Sequence, residues 1–124
     1  MPRERRRYIA FKTITSDINL NKGKVISLVL NEFLKLFGEY EGAKASLYIV
    51  EYDSDQGTGI LKVNLKSFRK AMATLASIRY DAGKDIKFEI LGVSGTIRRC
   101  KKKFLTYTKS KSHDNENIKI RTNK

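Results

Sequence analysis

Between Lys24 and Phe37 the residues Ile26, Val29, Leu30, Phe33, Leu34 and Phe37 recur at i, i+3, i+4 and i+7 spacing. That is the period of an amphipathic helix. Val25, Leu28 and Leu36 widen its apolar face, so the helix has to pack deeply against something broad. Gly38 stands where a left-handed residue ends a helix. The flanking segments have another period. "RYIAFKTI", Arg7 to Ile14, is rich in β-branched and aromatic residues and reads as a strand. "SLYIVEYD", Ser46 to Asp53, sets Leu47 and Ile49 on one face and Tyr48, Val50 and Tyr52 on the other. With both faces apolar, it is expected to be a central strand covered on both sides.

"SDQGTG" is a turn cluster, so the next run forms a hairpin with "SLYIVEYD". In that run, "ILKVNL", the residues Leu61, Val63 and Leu65 alternate inward. Asn64 is positioned to cap a second helix, whose packed side carries Phe68, Ala71, Met72, Leu75 and Ile78 or Arg79. "DAGKD" breaks it, and "IKFEILGV" alternates as a fourth strand. The order β-α-β-β-α-β, followed by a third helix, is that of an α+β, ferredoxin-like (RRM-like) sandwich. It predicts a four-stranded antiparallel sheet with two helices on one face. At 124 residues the chain is expected to be one α+β domain over 1–108, with a disordered polar tail over 109–124.

Charge narrows the function. The net charge is +13, from 26 cations and 13 anions, and it sits at the ends of this domain. Residues 1–12 hold Arg3, Arg5, Arg6, Arg7 and Lys12 against Glu4 alone. Residues 94–111 hold seven cations and no anion, whereas residues 13–93 hold 11 cations and 10 anions. A neutral body with two basic ends presents charge to a polyanion, with nucleic acid the first choice. No run approaches the ~20 apolar residues of a membrane span. The apolar stretch after "MPRERRR" is too short for a signal-peptide core, so a cytoplasmic location and no membrane partner are expected.

The densest charge lies in "LGVSGTIRRCKKKFL", Leu91 to Leu105. On a helical wheel Cys100, Phe104 and Tyr107 fall within about 80° of Ile97. Arg98, Arg99, Lys102 and Lys103 fill the opposite side. The expected C-terminal helix therefore docks by a narrow apolar stripe and shows a broad basic face. Arg98 and Arg99 occupy its first turn, where the helix dipole disfavours cations. A phosphate there would engage both, and Gly92 and Gly95 would let backbone come close to it. Stacking on the open sheet face is not expected. The first strand offers Tyr8 and Phe11, but "ILKVNL" has no aromatic, so the third helix or a protein partner is expected to cover that face. The expected RNA-binding residues are Arg5, Arg6, Arg7, Lys12, Gly95, Thr96, Arg98, Arg99, Lys101, Lys102 and Lys103.

Residues for bond-breaking are scarce. His113 is the single histidine and lies in the expected tail, so no hydrolytic triad forms in the body. Cys100, alone, supports neither a disulfide nor a thiolate zinc site; on the apolar stripe it reads as a small core residue. Glu51, Asp53 and Asp55 are the one acidic cluster, but Asp53 and Asp55 border a turn, where Asp bonds locally. Gly57 and Gly59 open no helix and make no nucleotide loop. No catalytic residue and no protein-bound metal or cofactor is expected.

"RRRYIAFKTI" at Arg5 to Ile14, "GEYEGAKASLYIVEYD" at Gly38 to Asp53, "GILKVN" and "LGVSGTIRRCKKKFL" together resemble the archaeal ribonuclease P protein component 2 family, with eukaryotic relatives in ribonuclease P and MRP. The resemblance covers about residues 5–105. It implies a protein subunit of the ribonucleoprotein endonuclease that removes the 5′ leader from precursor tRNA, with catalysis by the RNA and its Mg²⁺. It also implies a barrel-like partner, protein component 3, a homodimer within a heterotetramer, precursor tRNA met indirectly, and a ferredoxin-like fold. A general structured-RNA-binding, ribosome-associated module, a metal-dependent nuclease using Glu51, Asp53 and Asp55, and a protein-interaction adaptor are the rival readings.

Overall fold

A computed structural model describes residues 5–16, 20–81 and 83–105, with Tyr80 and Asp81 described by backbone alone. Arg3, Tyr107, His113 and the expected disordered tail lie outside the described residues. The chain runs β1 (Arg6–Thr15), α1 (Lys22–Ala45), β2 (Tyr48–Asp53) and β3 (Thr58–Asn64). A 3₁₀ turn (Leu65–Ser67) then leads into α2 (Phe68–Ser77), β4 (Tyr80–Asp81), β5 (Lys84–Ser94) and α3 (Ile97–Cys100), which widens into a π turn (Lys101–Leu105). The strands pair antiparallel in the order β2-β3-β1-β5-β4. The four long strands follow the ferredoxin-like order, and β4 adds two residues at one edge. The "DAGKD" stretch is thus more than a helix break: Tyr80 pairs with Asp85 and Asp81 with Lys84.

One face of the sheet carries α1 and α2. Ile9 and Phe11 of β1, Leu61 and Val63 of β3, and Phe88 of β5 pack there against Val25, Val29 and Phe33 of α1 and Ala71 and Leu75 of α2. Burying each of the larger of these side chains contributes about 1.5–3 kcal/mol, so this layer holds most of the stability. The Phe11 ring lies 5.4 Å from that of Phe88 and 6.3 Å from that of Tyr52, centroid to centroid. Phe11 is therefore a core residue. Three positions from Tyr8, it faces away from it, and the two aromatics never share a surface.

The helix expected to end at Gly38 continues to Ala45. Gly38 does take positive φ (91°, ψ 170°), but the backbone returns to helix after this kink and stops at Ser46, itself left-handed at φ 51°. Asn64 does not cap α2. Its side-chain amide donates to the Lys44 carbonyl, tying the end of β3 to the end of α1.

β2, expected to be central, is an edge strand. Its register slips between Ile49, opposite Leu61, and Glu51, opposite Ile60, so Val50 is an extra residue in a bulge. The bulge breaks strict alternation. Ile49 and Tyr52 both pack toward α1 and α2, and Val50 packs on the other side of the sheet. Apolar residues on both faces thus reflect two covered sides at the bulge, not a central position.

Candidate nucleic-acid interface

The face of the sheet opposite α1 and α2 has a smaller core. Tyr8, Ala10 and Ile60 are closed over by Cys100 and Leu105, with Val50, Leu91 and Phe104 at the margin. The third helix therefore covers part of the open face, as the sequence led one to expect. Its seat is set by three contacts. Thr96 caps it, its Oγ1 accepting from the Arg99 amide at 3.1 Å and its carbonyl from the Cys100 amide at 3.1 Å. The Cys100 Sγ lies 3.6 Å from the Tyr8 carbonyl. The Phe104 ring lies against Gly92, in the space a Cβ would take. Gly92 is therefore filled by an aromatic ring and is not open to an anion, contrary to the sequence reading.

The π turn alters which residues dock. Leu105 is buried and Phe104 half-buried, whereas Ile97, expected on the stripe, is exposed. Cys100 is wholly buried, and desolvation, followed by the nearby Glu51 carboxylate, pushes its thiol up from 9.0 to about 11. It is an inert core group at neutral pH.

With Cys100 and Leu105 buried, Arg98, Arg99, Lys101, Lys102 and Lys103 are all exposed. No carboxylate among the described residues pairs with Arg98, Arg99, Lys102 or Lys103. Lys101 differs, its Nζ lying 3.2 Å from Glu51 Oε1 on β2. This half-exposed pair contributes about 0–1 kcal/mol and fastens the basic helix to the sheet edge. Sequence reasoning missed it because Glu51 turns toward α3 only through the bulge at Val50.

Sheet pairing gathers most of the expected site. Tyr8 lies opposite Ser94, so the start of β1 meets the end of β5. The Arg7 guanidinium, bonded to the Arg6 carbonyl at 3.0 Å, reaches to 3.7 Å from where a Gly95 Cβ would be. Arg5 and Arg6 are exposed beside it and Arg7 is half-buried. The two basic ends of the domain thus approach each other where β1 begins and β5 ends, with Gly95 beside Arg7. Lys12 stands apart. It lies about 20 Å along β1 from Arg6, in register with Glu89, and is not brought to this edge.

Asp53 is engaged as a turn residue. Its Oδ1 accepts from the Asp55 amide at 2.9 Å and the Gln56 amide at 3.2 Å, closing the β2–β3 hairpin. Among the described residues no three carboxylate, imidazole or thiol groups converge as metal ligands, and no helix is long and apolar enough to cross a membrane.

The fold and this edge define an α+β, ferredoxin-like domain with a cationic face built from both ends of its sequence. The sequence model of the Rpp14/Pop5 family matches residues 7–105, and the chain belongs to that family. It is 35% identical over 104 residues to ribonuclease P protein component 2 of Pyrococcus furiosus, covering 84% of this chain and 86% of that protein. It is 39% identical over 109 residues to the protein of the same name from Methanocaldococcus jannaschii, covering 88% of this chain and 79% of that one. A chain in the cryo-EM structure of yeast ribonuclease MRP superposes with a TM-score of 0.64 at 12% identity, covering 95% of this chain and 99% of that one. At that identity the likeness is one of fold.

Proposed function

We propose that this chain is a protein subunit of ribonuclease P, binding and supporting the catalytic RNA for cleavage of the 5′ leader from precursor tRNA. The observation that carries the reading is the family match from residue 7 to residue 105, which takes in Arg7 and every cation from Arg98 to Lys103. The RNA and its Mg²⁺ supply the chemistry, and the protein supplies positive charge held on a rigid frame. Arg5 just before β1, Arg6 and Arg7 of β1, Arg98 and Arg99 of α3, and Lys102 and Lys103 of the π turn grip phosphates of folded RNA by shape, with no base reading. Lys101 joins them when phosphate displaces Glu51. Lys12 is the outlying member of the expected set and makes a separate contact. A component-3-type barrel protein pairs with this subunit, and two copies sit at the centre of a heterotetramer.

Reconstitution tests this reading. Ribonuclease P RNA from the source organism, its other protein subunits and this chain are assembled with precursor tRNA and Mg²⁺. Leaving this chain out is expected to lower the rate of leader removal at limiting Mg²⁺. Undiminished cleavage without it, across the Mg²⁺ range, would contradict the assignment.

A further inference from the structure

Tyr48 opens the edge strand β2 and is 52% exposed. Two ammonium groups stand over its ring: Lys62 Nζ 5.1 Å and Lys22 Nζ 5.5 Å from the centroid. The three residues come from β2, β3 and the first turn of α1, so the arrangement is made by the tertiary fold. No carboxylate among the described residues pairs with either lysine. The first turn of α1 carries no acid, and Lys22 and Lys24 add to the positive end of its dipole. Lys62 lies in register with Tyr8, whose carbonyl meets Cys100, so this cluster adjoins the platform on which α3 sits.

We propose that Tyr48, Lys22 and Lys62 form a subsite for one unpaired nucleotide of a bound RNA. The base stacks on the Tyr48 ring, and the two ammonium groups hold its flanking phosphates. Any base offers a π face, so such a platform takes single-stranded RNA without regard to sequence. The lysine side chains are flexible, and a phosphate is a stronger partner for an ammonium than the ring it covers in the free protein. A stacking base therefore displaces them toward its own backbone. A duplex keeps its bases inside the helix and cannot use the ring. The inference deepens the RNA-binding reading above: α3 and β1 grip folded RNA by its backbone, and Tyr48 receives a nucleotide that has left its helix.

Fluorescence anisotropy with the full chain tests it, using a short oligouridine and a blunt-ended RNA duplex as probes. Tyr48→Ala is expected to weaken oligouridine binding about tenfold and duplex binding less than about twofold, and Tyr48→Phe to hold both within about twofold. Should Tyr48→Ala lose its circular dichroism spectrum, the ring-preserving Lys22→Ala/Lys62→Ala variant decides. Its salt dependence for oligouridine is expected to be shallower by about 1.4 in log–log slope. Equal loss on both probes, no loss on either, no oligouridine binding by the parent chain, or an unchanged slope overturns the subsite. The two proposals fail separately. A subsite that behaves as expected in a chain that retrieves no ribonuclease P RNA sinks the assignment and leaves the subsite standing.

Discussion

At the scale of single residues, Gly92 and Cys100 determine how α3 is seated. A methyl group on Gly92 would occupy the space of the Phe104 ring. Gly92→Ala is expected to cost about 1–3 kcal/mol through overpacking, read as a lower midpoint in chemical denaturation; an unchanged midpoint would mean that Phe104 is not seated there. Cys100 makes stability depend on pH. Its thiol titrates at about 11 in the fold against 9.0 when unperturbed. The unfolded chain therefore loses this proton first as pH rises. The stabilisation is complete below pH 9 and is lost as pH climbs through about 11. Stability of the parent chain should fall across that window relative to Cys100→Ala; parallel curves would contradict the burial. Cys100 could be read from the sequence as a core thiol, because it falls on the apolar stripe of a helical wheel. Gly92 could not, because its partner is a ring twelve positions on, placed by a π turn that no periodicity announces.

At the scale of elements, α3 is a short basic helix held by one apolar edge. Its cations fill no space in the core, so replacing Arg98, Arg99, Lys102 and Lys103 with Ala should leave the circular dichroism spectrum intact. RNA affinity should fall by about a factor of ten or more at moderate salt. Loss of helical signal in that variant would make the face structural instead. The long strands and helices are legible from their periods, and the order β-α-β-β-α-β leads directly to the sheet. β2 was misread for a physical reason. The bulge at Val50 lets one strand bury residues on both faces while remaining at an edge, and a sequence gives that the same pattern as a central strand. The two-residue β4 carries too few positions for any period. Lys22 and Lys62 were passed over because each lies in a nearly neutral segment; only the fold sets them around Tyr48.

At the scale of the whole molecule, the charge distribution governs behaviour. A chain of net charge +13 with exposed cations clustered at the start of β1 and along α3 and its π turn should release counterions when it meets RNA. With about five phosphates engaged, log affinity should fall against log salt with a slope of roughly −3 to −4.5. A slope near zero would mean that contacts other than the basic edge hold the complex. The joining of the two basic ends was only half legible. Composition marks Arg5 to Arg7 and Arg98 to Lys103 as clusters, and the antiparallel pairing of β1 with β5 brings the segments that carry them together. The same pairing leaves Lys12 beside Glu89, which no count of charges could foresee.

The central claim is that this family member works within ribonuclease P. It is tested most directly by retrieving the tagged chain from the cells that make it, sequencing the bound RNA and identifying the bound proteins. The account predicts enrichment of ribonuclease P RNA together with a barrel-like protein partner. Recovery of ribosomal RNA alone, or of no RNA, would contradict it and assign the basic edge to another polyanion.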